Sequence, residues 1–572
     1  MKISDIIPVA LGKKKADVVI KNARILNVFT GEIEETNVAL YRKRIAGIGD
    51  YEEAKEVINL KGMYLIPGFI DAHLHIESSM LSPREFAKAV LSRGTTTVIA
   101  DPHEIANVLG IDGIEYMIKA TEGIPLNVYI GLPSAVPATK LETSGALLGP
   151  EDMVGFIDKY PRRIIALGEV MNFPGVLNLD RELITKIEIL RHKYKKIDGH
   201  APGLSGKELN AYIDAFIKSD HECTTVKEAL EKVSKGMQVF IREGSAAKNF
   251  NDLIDAVNIK NHQFFSFCTD DRDPVDIINE GHIDYLVRES IKRGIDPVIA
   301  VRMATINTAR YFNLRSMGAI APGYKADMLV VDDLDKLNIK MVIKDSKIAV
   351  ENGNISETFE GVHKVPNNLG KVILPKFSKN DIKVKAEGKR INVIEVHEKT
   401  LITTALKCDA KIENGFVVAD PENDIAKIVV FNRHTGKGFS IGFIKGLGIK
   451  RGAIALSIGH DSHNLCASGM NDNDIETAAK EIEKMSGGIV SVLNGEILAR
   501  LPLPIAGLMS NKSLYEMVEE NKKLKKSLAI LGSEKDIFMT LSFVQLPVIP
   551  EIRITDRGII DVKNQKFMSI FV

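Results

Sequence analysis

The pattern of hydrophobic and polar positions changes three times along the chain. From about Ala16 to Leu60 the apolar residues are rich in β-branched types and come in short runs. These are Ala16-Asp-Val-Val-Ile, Arg24-Ile-Leu-Asn-Val, Thr36-Asn-Val-Ala-Leu-Tyr and Arg44-Ile-Ala-Gly-Ile, punctuated by Thr30-Gly31-Glu32; this spacing predicts short strands. From Met63 onward strand-like runs alternate with helix-like segments. The predicted strands cover residues 64–70, 95–100, 127–132, 164–168, 196–199, 222–225, 238–242 and 264–268, the sixth placed partly by counting. Eight strand-then-helix units in about 250 residues are the size of a (β/α)8 barrel. Ser82-Pro83-Arg84-Glu85 reads as an N-cap, a proline at the first helical position and a capping-box glutamate, and Ser205 with Glu208 repeats the box. After Thr308 strands return at 326–332, 339–344 and 347–353, with Asn352-Gly353 as a hairpin turn. A stretch with Pro, Lys and Asn from about residue 365 reads as a linker. Beyond it come strands at 390–396, 425–431 and 453–457 and a helix at 474–485, supported by Glu476 and Lys480 four residues apart. The expected architecture is α/β: a TIM-like (β/α)8 barrel at 63–315, a small β-sandwich built from both sides of it (1–62 and 316–364), and a C-terminal α+β domain (365–572).

Composition narrows the function classes. The 572 residues are too many for one core. Hydrophobic content of 45% and charged content of 26% are those of a globular protein. Lys+Arg and Asp+Glu stand at 75 each, which argues against nucleic acid or an anionic membrane as the main partner. No apolar run reaches the length of a membrane span, and the N-terminus does not read as a signal peptide. The four cysteines are scattered without a C-x-x-C pair, so a reducing cytoplasm is the expected location.

The chemistry gathers at predicted strand ends, where barrels place their functional groups. Strand 1 runs into Asp71-Ala-His73-Leu-His75, two imidazoles at i and i+2 and therefore on one face. Strand 4 ends at Glu169, strand 5 at His200, and strand 8 leads to Asp270; His221 stands at the sixth position. Four histidines and two carboxylates can hold two divalent cations about 3.5–4 Å apart, with Glu169 placed to bridge them through its two oxygens. Other residues have two readings each. His103 after strand 2 either polarises the substrate or supports a ligand. Glu77 and Ser78 either contact substrate or cap the next segment. Glu243 is either a proton-transfer or substrate-binding residue or an ion-pair partner of Arg242 or Lys248. The run His460-Asp-Ser-His-Asn464 either closes over the barrel mouth, holds another ion, or is a surface turn. His-x-Glu with Pro-Cys-x-x-Cys, the zinc nucleobase deaminase pattern, is absent, as are the Walker and G-x-G-x-x-G phosphate loops.

Asp71-Ala-His-Leu-His-Ile-Glu-Ser-Ser resembles the amidohydrolase superfamily and, within it, the adenine deaminase family. Asp101-Pro-His-Glu, Gly131-Leu-Pro-Ser, Gly168-Glu-Val-Met-Asn, Asp198-Gly-His-Ala-Pro, Ser219-Asp-His-Glu-Cys, Cys268-Thr-Asp-Asp-Arg, Gly459-His-Asp-Ser-His-Asn and Leu501-Pro-Leu-Pro carry the resemblance over nearly the whole chain. It implies His73 and His75 on one metal, His200 and His221 on the other, and Asp270 as ligand and proton carrier. Many relatives bridge the ions with a carboxylated lysine; Glu169 stands there here, which matches the adenine deaminase branch. The implied reaction is hydrolysis of adenine to hypoxanthine and ammonia by a bridging hydroxide, with two divalent cations, manganese foremost and iron or zinc as alternatives. It further implies a homo-oligomer whose partners are a purine base and water. A cyclic-amide hydrolase and a metal-free scaffold are the competing readings.

Overall fold

The computed structural model describes residues 2–356, 366, 369–397, 400–535 and 537–572. The expected linker after residue 365 falls partly outside them, as does the 364/365 boundary.

Eight parallel strands build the barrel: β1 (Phe69–Leu74), β2 (Thr95–Ala100), β3 (Asn127–Leu132), β4 (Ile164–Val170), β5 (Lys196–Gly199), β6 (Ser219–Asp220), β7 (Gln238–Arg242) and β8 (Phe265–Cys268). The first five form one sheet and the last three another. A bond from Lys218 N–H to the Ile197 carbonyl joins β5 to β6. The ring closes where Asp270 N–H donates to the His73 carbonyl and His75 N–H to the Asp270 carbonyl. Ile70, Ile99, Ala166, Phe240 and Cys268, each from a different strand, fill its interior.

Two predicted strands need correction. The run expected as one strand at 64–70 divides around Gly68. Tyr64–Pro67 leaves the barrel and pairs antiparallel with Met328–Val331, and only Phe69–Leu74 enters the barrel. The sixth strand lies at Ser219–Asp220, just before His221, and not at 222–225. Two residues carry no readable period, and the expected run already belongs to the turn into the helix Val226–Ser234. Neither predicted capping box forms: Ser82 and Ser205 make no side-chain cap bond, and Glu85 pairs instead with Lys88 at 2.7 Å.

Strands from before and after the barrel form one nine-stranded sheet, with the barrel inserted between Tyr64–Pro67 and Met328–Val331. The expected sandwich is thus a single hydrogen-bonded sheet. Val18, Ile20, Val38 and Leu40 pack on one face and Val19, Ala39 and Tyr41 on the other. The helix Ile3–Ala10 covers the second face through Val9. Asn352-Gly353 makes the tight turn between Lys347–Glu351 and Asn354–Ile355, both residues at positive φ.

The C-terminal region is built on an eight-stranded sheet running from Thr403–Asp409 at one edge to Glu496–Pro502 at the other. The helix Asp472–Lys484 packs on one face through Ile475, Ala478 and Ile482. Asn471 caps it, and the expected Glu476–Lys480 pair forms at 2.5 Å. On the other face Ile428, Val430, Ile454 and Leu456 belong to the same apolar cluster as the barrel.

Candidate metal centre and active site

A bulge delivers the two histidines of β1. The pairing of β1 with β2 slips between Asp71 and Leu74. Before the slip Ile70 and Ala72 point into the barrel. Asp71 accepts hydrogen bonds from the Thr269 hydroxyl and N–H, and so braces β1 against the end of β8. After the slip His73 and His75 turn inward, as bulges re-aim side chains beside functional sites.

Their ring nitrogens fix the tautomers. His73 Nδ1 lies 2.9 Å from the Asp198 carboxylate and His75 Nδ1 lies 2.8 Å from the Asp101 carbonyl. The His75 Nδ1–H donates to that carbonyl, which accepts only. With both Nδ1 atoms protonated, the two Nε2 atoms carry bare lone pairs, yet they sit 3.2 Å apart. A cation between them resolves that conflict. Both nitrogens of His221 are buried without a hydrogen-bond partner, and Nε2 faces Glu169 Oε2 at 3.2 Å, placed to share an ion with it. The donor set therefore fits divalent metal.

Glu169 stands at the centre. One oxygen faces His75 Nε2 at 3.4 Å and His103 Nδ1 at 3.5 Å; the other faces His200 Nδ1 at 2.5 Å and His221 Nε2 at 3.2 Å. Gly168 makes this possible, because a Cβ there would collide with the Asp101 carboxylate, which accepts the Glu169 N–H at 2.9 Å. Asp270 lies 3.2 Å from His75 Nε2 and 3.6 Å from His73 Nε2. Within the cluster, His73, His75 and Glu169 form one set of possible metal ligands, Glu169, His200 and His221 a second, and His73, His221 and Asp270 a third. Burial alone would raise the Glu169 carboxyl, but His200, His221 and His75 hold it well below its usual range. Burial works the same way on Asp270, where His75 and Arg242 outweigh it and keep the carboxyl well below its usual range.

The other predicted residues are placed unequally. His103 joins the cluster and also reaches Asp461 of the C-terminal region, 3.6 Å from its Nε2. The Ser78 hydroxyl sits between the carboxylates of Glu104, 3.0 Å away, and Asp271, and Glu77 accepts from Ile105 N–H; both stand behind the pocket wall. Burial beside the charge of Glu104 pushes Glu77 up to about 8. Glu243 is not brought to the cluster. Its carboxylate accepts from Phe250 N–H at 3.3 Å, and burial pushes it up to about 7. Successive strand residues face opposite ways, and at the end of β7 the inward residue is Arg242. Its guanidinium bonds Asp270 at 2.8 Å and grips Glu222. Arg242 and Glu222 line the pocket and Asp101 and Asp198 stand behind it, against Glu169 N–H and His73; the sequence places Glu222 in the sixth predicted strand and Arg242 only as an ion-pair partner of Glu243, and gives none of the four a place in the site. Their positions inside the motifs Asp101-Pro-His-Glu and Asp198-Gly-His were the available signal.

The pocket is closed by the C-terminal region. His460, Asp461, Leu401, Phe543, Leu546 and Ile549 face Met171, Ala246 and Ala247 of the barrel across it. Phe543 stacks flat on His460 at 4.2 Å. The site thus has a polar floor of histidines and carboxylates and a roof in which Leu401, Phe543, Leu546 and Ile549 form an apolar patch beside His460 and Asp461.

Residues 64–349 match the family described as the amidohydrolase family, and residues 400–566 match the adenine deaminase C-terminal domain. The adenine deaminase of Thermosipho africanus (strain TCF52B) is 63% identical over 575 residues, covering 100% of both chains. The chain belongs to the adenine deaminase family. The adenine deaminase of Kosmotoga olearia is 57% identical over 574 residues, covering 100% of this chain and 99% of the relative. Among solved structures, the β-aspartyl dipeptidase of Fervidobacterium islandicum AW-1 has a TM-score of 0.45 at 16% identity, covering 60% of this chain and 99% of that one. Within the adenine deaminase family, the amidohydrolase match spans the barrel and, of the nine-stranded sheet, Tyr64–Pro67 and the strands that follow the barrel up to residue 349, while the family's C-terminal domain supplies the roof.

Proposed function

We propose that the chain hydrolyses adenine to hypoxanthine and ammonia, with two divalent cations held by His73, His75, His200, His221, Glu169 and Asp270. The observation that carries this reading is the Glu169 carboxylate, whose two oxygens divide the surrounding imidazoles into two sets. A native carboxylate here, in place of a carboxylated lysine, favours deamination over cyclic-amide hydrolysis. Carboxylate oxygens mixed with imidazoles suit manganese or iron, with zinc also compatible.

Divalent cations bound there lower the pKa of water from about 16 towards about 7. The residues do the rest. Asp270, kept ionised beside Arg242, takes one proton of the attacking water and passes it to ring N1, then carries the second proton, from the new C6 hydroxyl, to the departing amino group. The C6–O bond forms and the C6–N bond breaks, and the balance is one water consumed and one ammonia released. The apolar roof of Leu401, Phe543, Leu546 and Ile549 covers the flat base and excludes bulk water.

Incubating manganese-loaded protein with adenine, following ammonia and the ultraviolet change, tests the reading. Turnover of adenine is expected. Hydrolysis of a cyclic amide without adenine turnover would favour the second reading, and a protein that binds no metal and is inert would favour the scaffold. We further infer the division 1–62, 63–315, 316–364 and 365–572, a homo-oligomeric state and a cytoplasmic location. Among the described residues no helix is long and apolar enough to cross a membrane.

A further inference from the structure

Beside the cluster around Glu169, and joined to it through His103, a second group of side chains able to ligate metal lies where the barrel meets the C-terminal sheet. Glu104 comes from the helix His103–Leu109 after β2. His460, Asp461 and His463 come from the loop before Leu465–Gly469. His460 Nδ1 is 3.2 Å from Glu104 Oε1 and 3.8 Å from Asp461 Oδ1, and Asp461 Oδ1 is 3.6 Å from His103 Nε2. Two atoms bound to one first-row cation at about 2.1 Å stand roughly 3 Å apart at a right angle and roughly 4.2 Å apart across it. The Glu104–His460 and His460–Asp461 separations fall in that interval, as does that from Asp461 to the neighbouring His103.

The group is buried, with His460 and Asp461 also lining the active-site pocket. Glu104 and His463 have no exposed surface, and Asp461 is 2% exposed. Glu104 Oε2, Asp461 Oδ2 and both nitrogens of His463 are buried without a hydrogen-bond partner. Buried polar atoms are almost always paired, and a buried carboxylate oxygen left alone costs several times a net hydrogen bond. Four such atoms on three neighbouring side chains, two of them on carboxylates, mark a place where positive charge is missing. His463 Nε2 lies 4.0 Å from Glu104 Oε2, so the second oxygen and the second imidazole also face each other.

We propose that Glu104, His460 and Asp461 hold a third divalent transition-metal ion, with His103 and His463 beside it, that fastens the C-terminal domain to the barrel. Two oxygens and a nitrogen make a donor set of intermediate hardness, suited to manganese, iron or zinc. The ion would act by position. It fixes the His460 ring, on which Phe543 stacks, and so sets the pocket roof. It also lies next to His103, whose other nitrogen faces Glu169. The inference stands on this second group of residues and not on the assignment of the catalytic centre.

Crystals of the full chain loaded with Mn2+ and washed free of excess metal, measured at the manganese edge, test it. An anomalous peak is expected within bonding distance of Glu104, His460 and Asp461, separate from those at His73–His221. Metal content should fall by one equivalent per chain in Asp461→Asn and in Glu104→Gln. Peaks at the catalytic centre with none at the interface would overturn this inference and leave the proposed function standing. A peak at the interface with none at the catalytic centre would do the reverse. The wild-type diffraction result decides the matter even if a variant does not fold.

Discussion

Arg242 reaches Asp270 and Glu222 with one guanidinium, so the residue assigned to proton transfer is oriented and kept ionised by a group outside the ligand set. Asp270→Asn keeps the shape but cannot accept a proton. Turnover of adenine should fall by about 10²–10⁴-fold, while metal analysis finds the ions largely retained; near-normal rates would remove Asp270 from that role. Phe543→Ala opens the roof without touching the floor. Its steady-state kinetics should show KM raised about tenfold or more, in keeping with the roughly 1.4 kcal/mol or more lost with an aromatic contact, and kcat changed less. At this scale the sequence was legible where chemistry repeats at strand ends: His73, His75, Glu169, His200, His221 and Asp270 converge as their spacing implied. It was illegible where one residue decides which way its neighbour points. Arg242 and Glu243 are adjacent charges at a strand end, and nothing in the string says which one turns inward.

Strand β6 shows how little regular structure a site needs if a buried pair locates it. Its two residues are anchored by Asp220, which accepts from Ala201 N–H at 2.7 Å and pairs with Lys232 at 3.0 Å, both side chains fully buried. Burial would raise the Asp220 carboxyl, but Lys232 together with His221, Cys223 and the Ala201 N–H outweighs it and lowers it from 3.8 to about 2. The folded value lies below the unfolded one, so the stabilisation is complete above about pH 4 and disappears as pH falls towards 2. Its size is roughly 2 kcal/mol. Asp220→Asn leaves Lys232 without its fully buried partner and should cost about 3–5 kcal/mol near neutral pH. Denaturant melts of the two proteins should converge as pH falls from 5 to 2.5; a constant gap would show that the pair does not carry the difference. A two-residue strand has no period, which is why the sequence misplaced it by three residues. The apolar run at 64–70 failed differently. Alternation is the same on both sides of Gly68, although the chain changes sheets there.

The whole molecule is tied together by one continuous apolar cluster that runs from the barrel into the C-terminal sheet. Backbone bonds add to it: Ser82 N–H donates to the Ser510 carbonyl and Ser510 N–H to the Met80 carbonyl. A chain ending at Ser356 loses the pocket roof and bares that apolar face. It should aggregate on size-exclusion chromatography and show no adenine turnover even when loaded with manganese; a monodisperse, active fragment would contradict the shared core. The barrel and the sheet it interrupts were legible in outline because most of their strands, β6 and the 64–70 run apart, announce themselves locally. The docking of residues 400–566 onto the barrel mouth was not, because contacts across some 320 positions, such as Ser462 to Glu142, leave no local pattern. The insertion of the barrel into the nine-stranded sheet also governs the order of events during synthesis. Tyr64–Pro67 leaves the ribosome well before its antiparallel partner Met328–Val331. At about 5–20 residues per second the gap of about 260 residues lasts roughly 13–50 s. For that time the edge at Tyr64–Pro67 is open to other chains, so a nascent chain is most exposed to misassembly while its barrel is still being made.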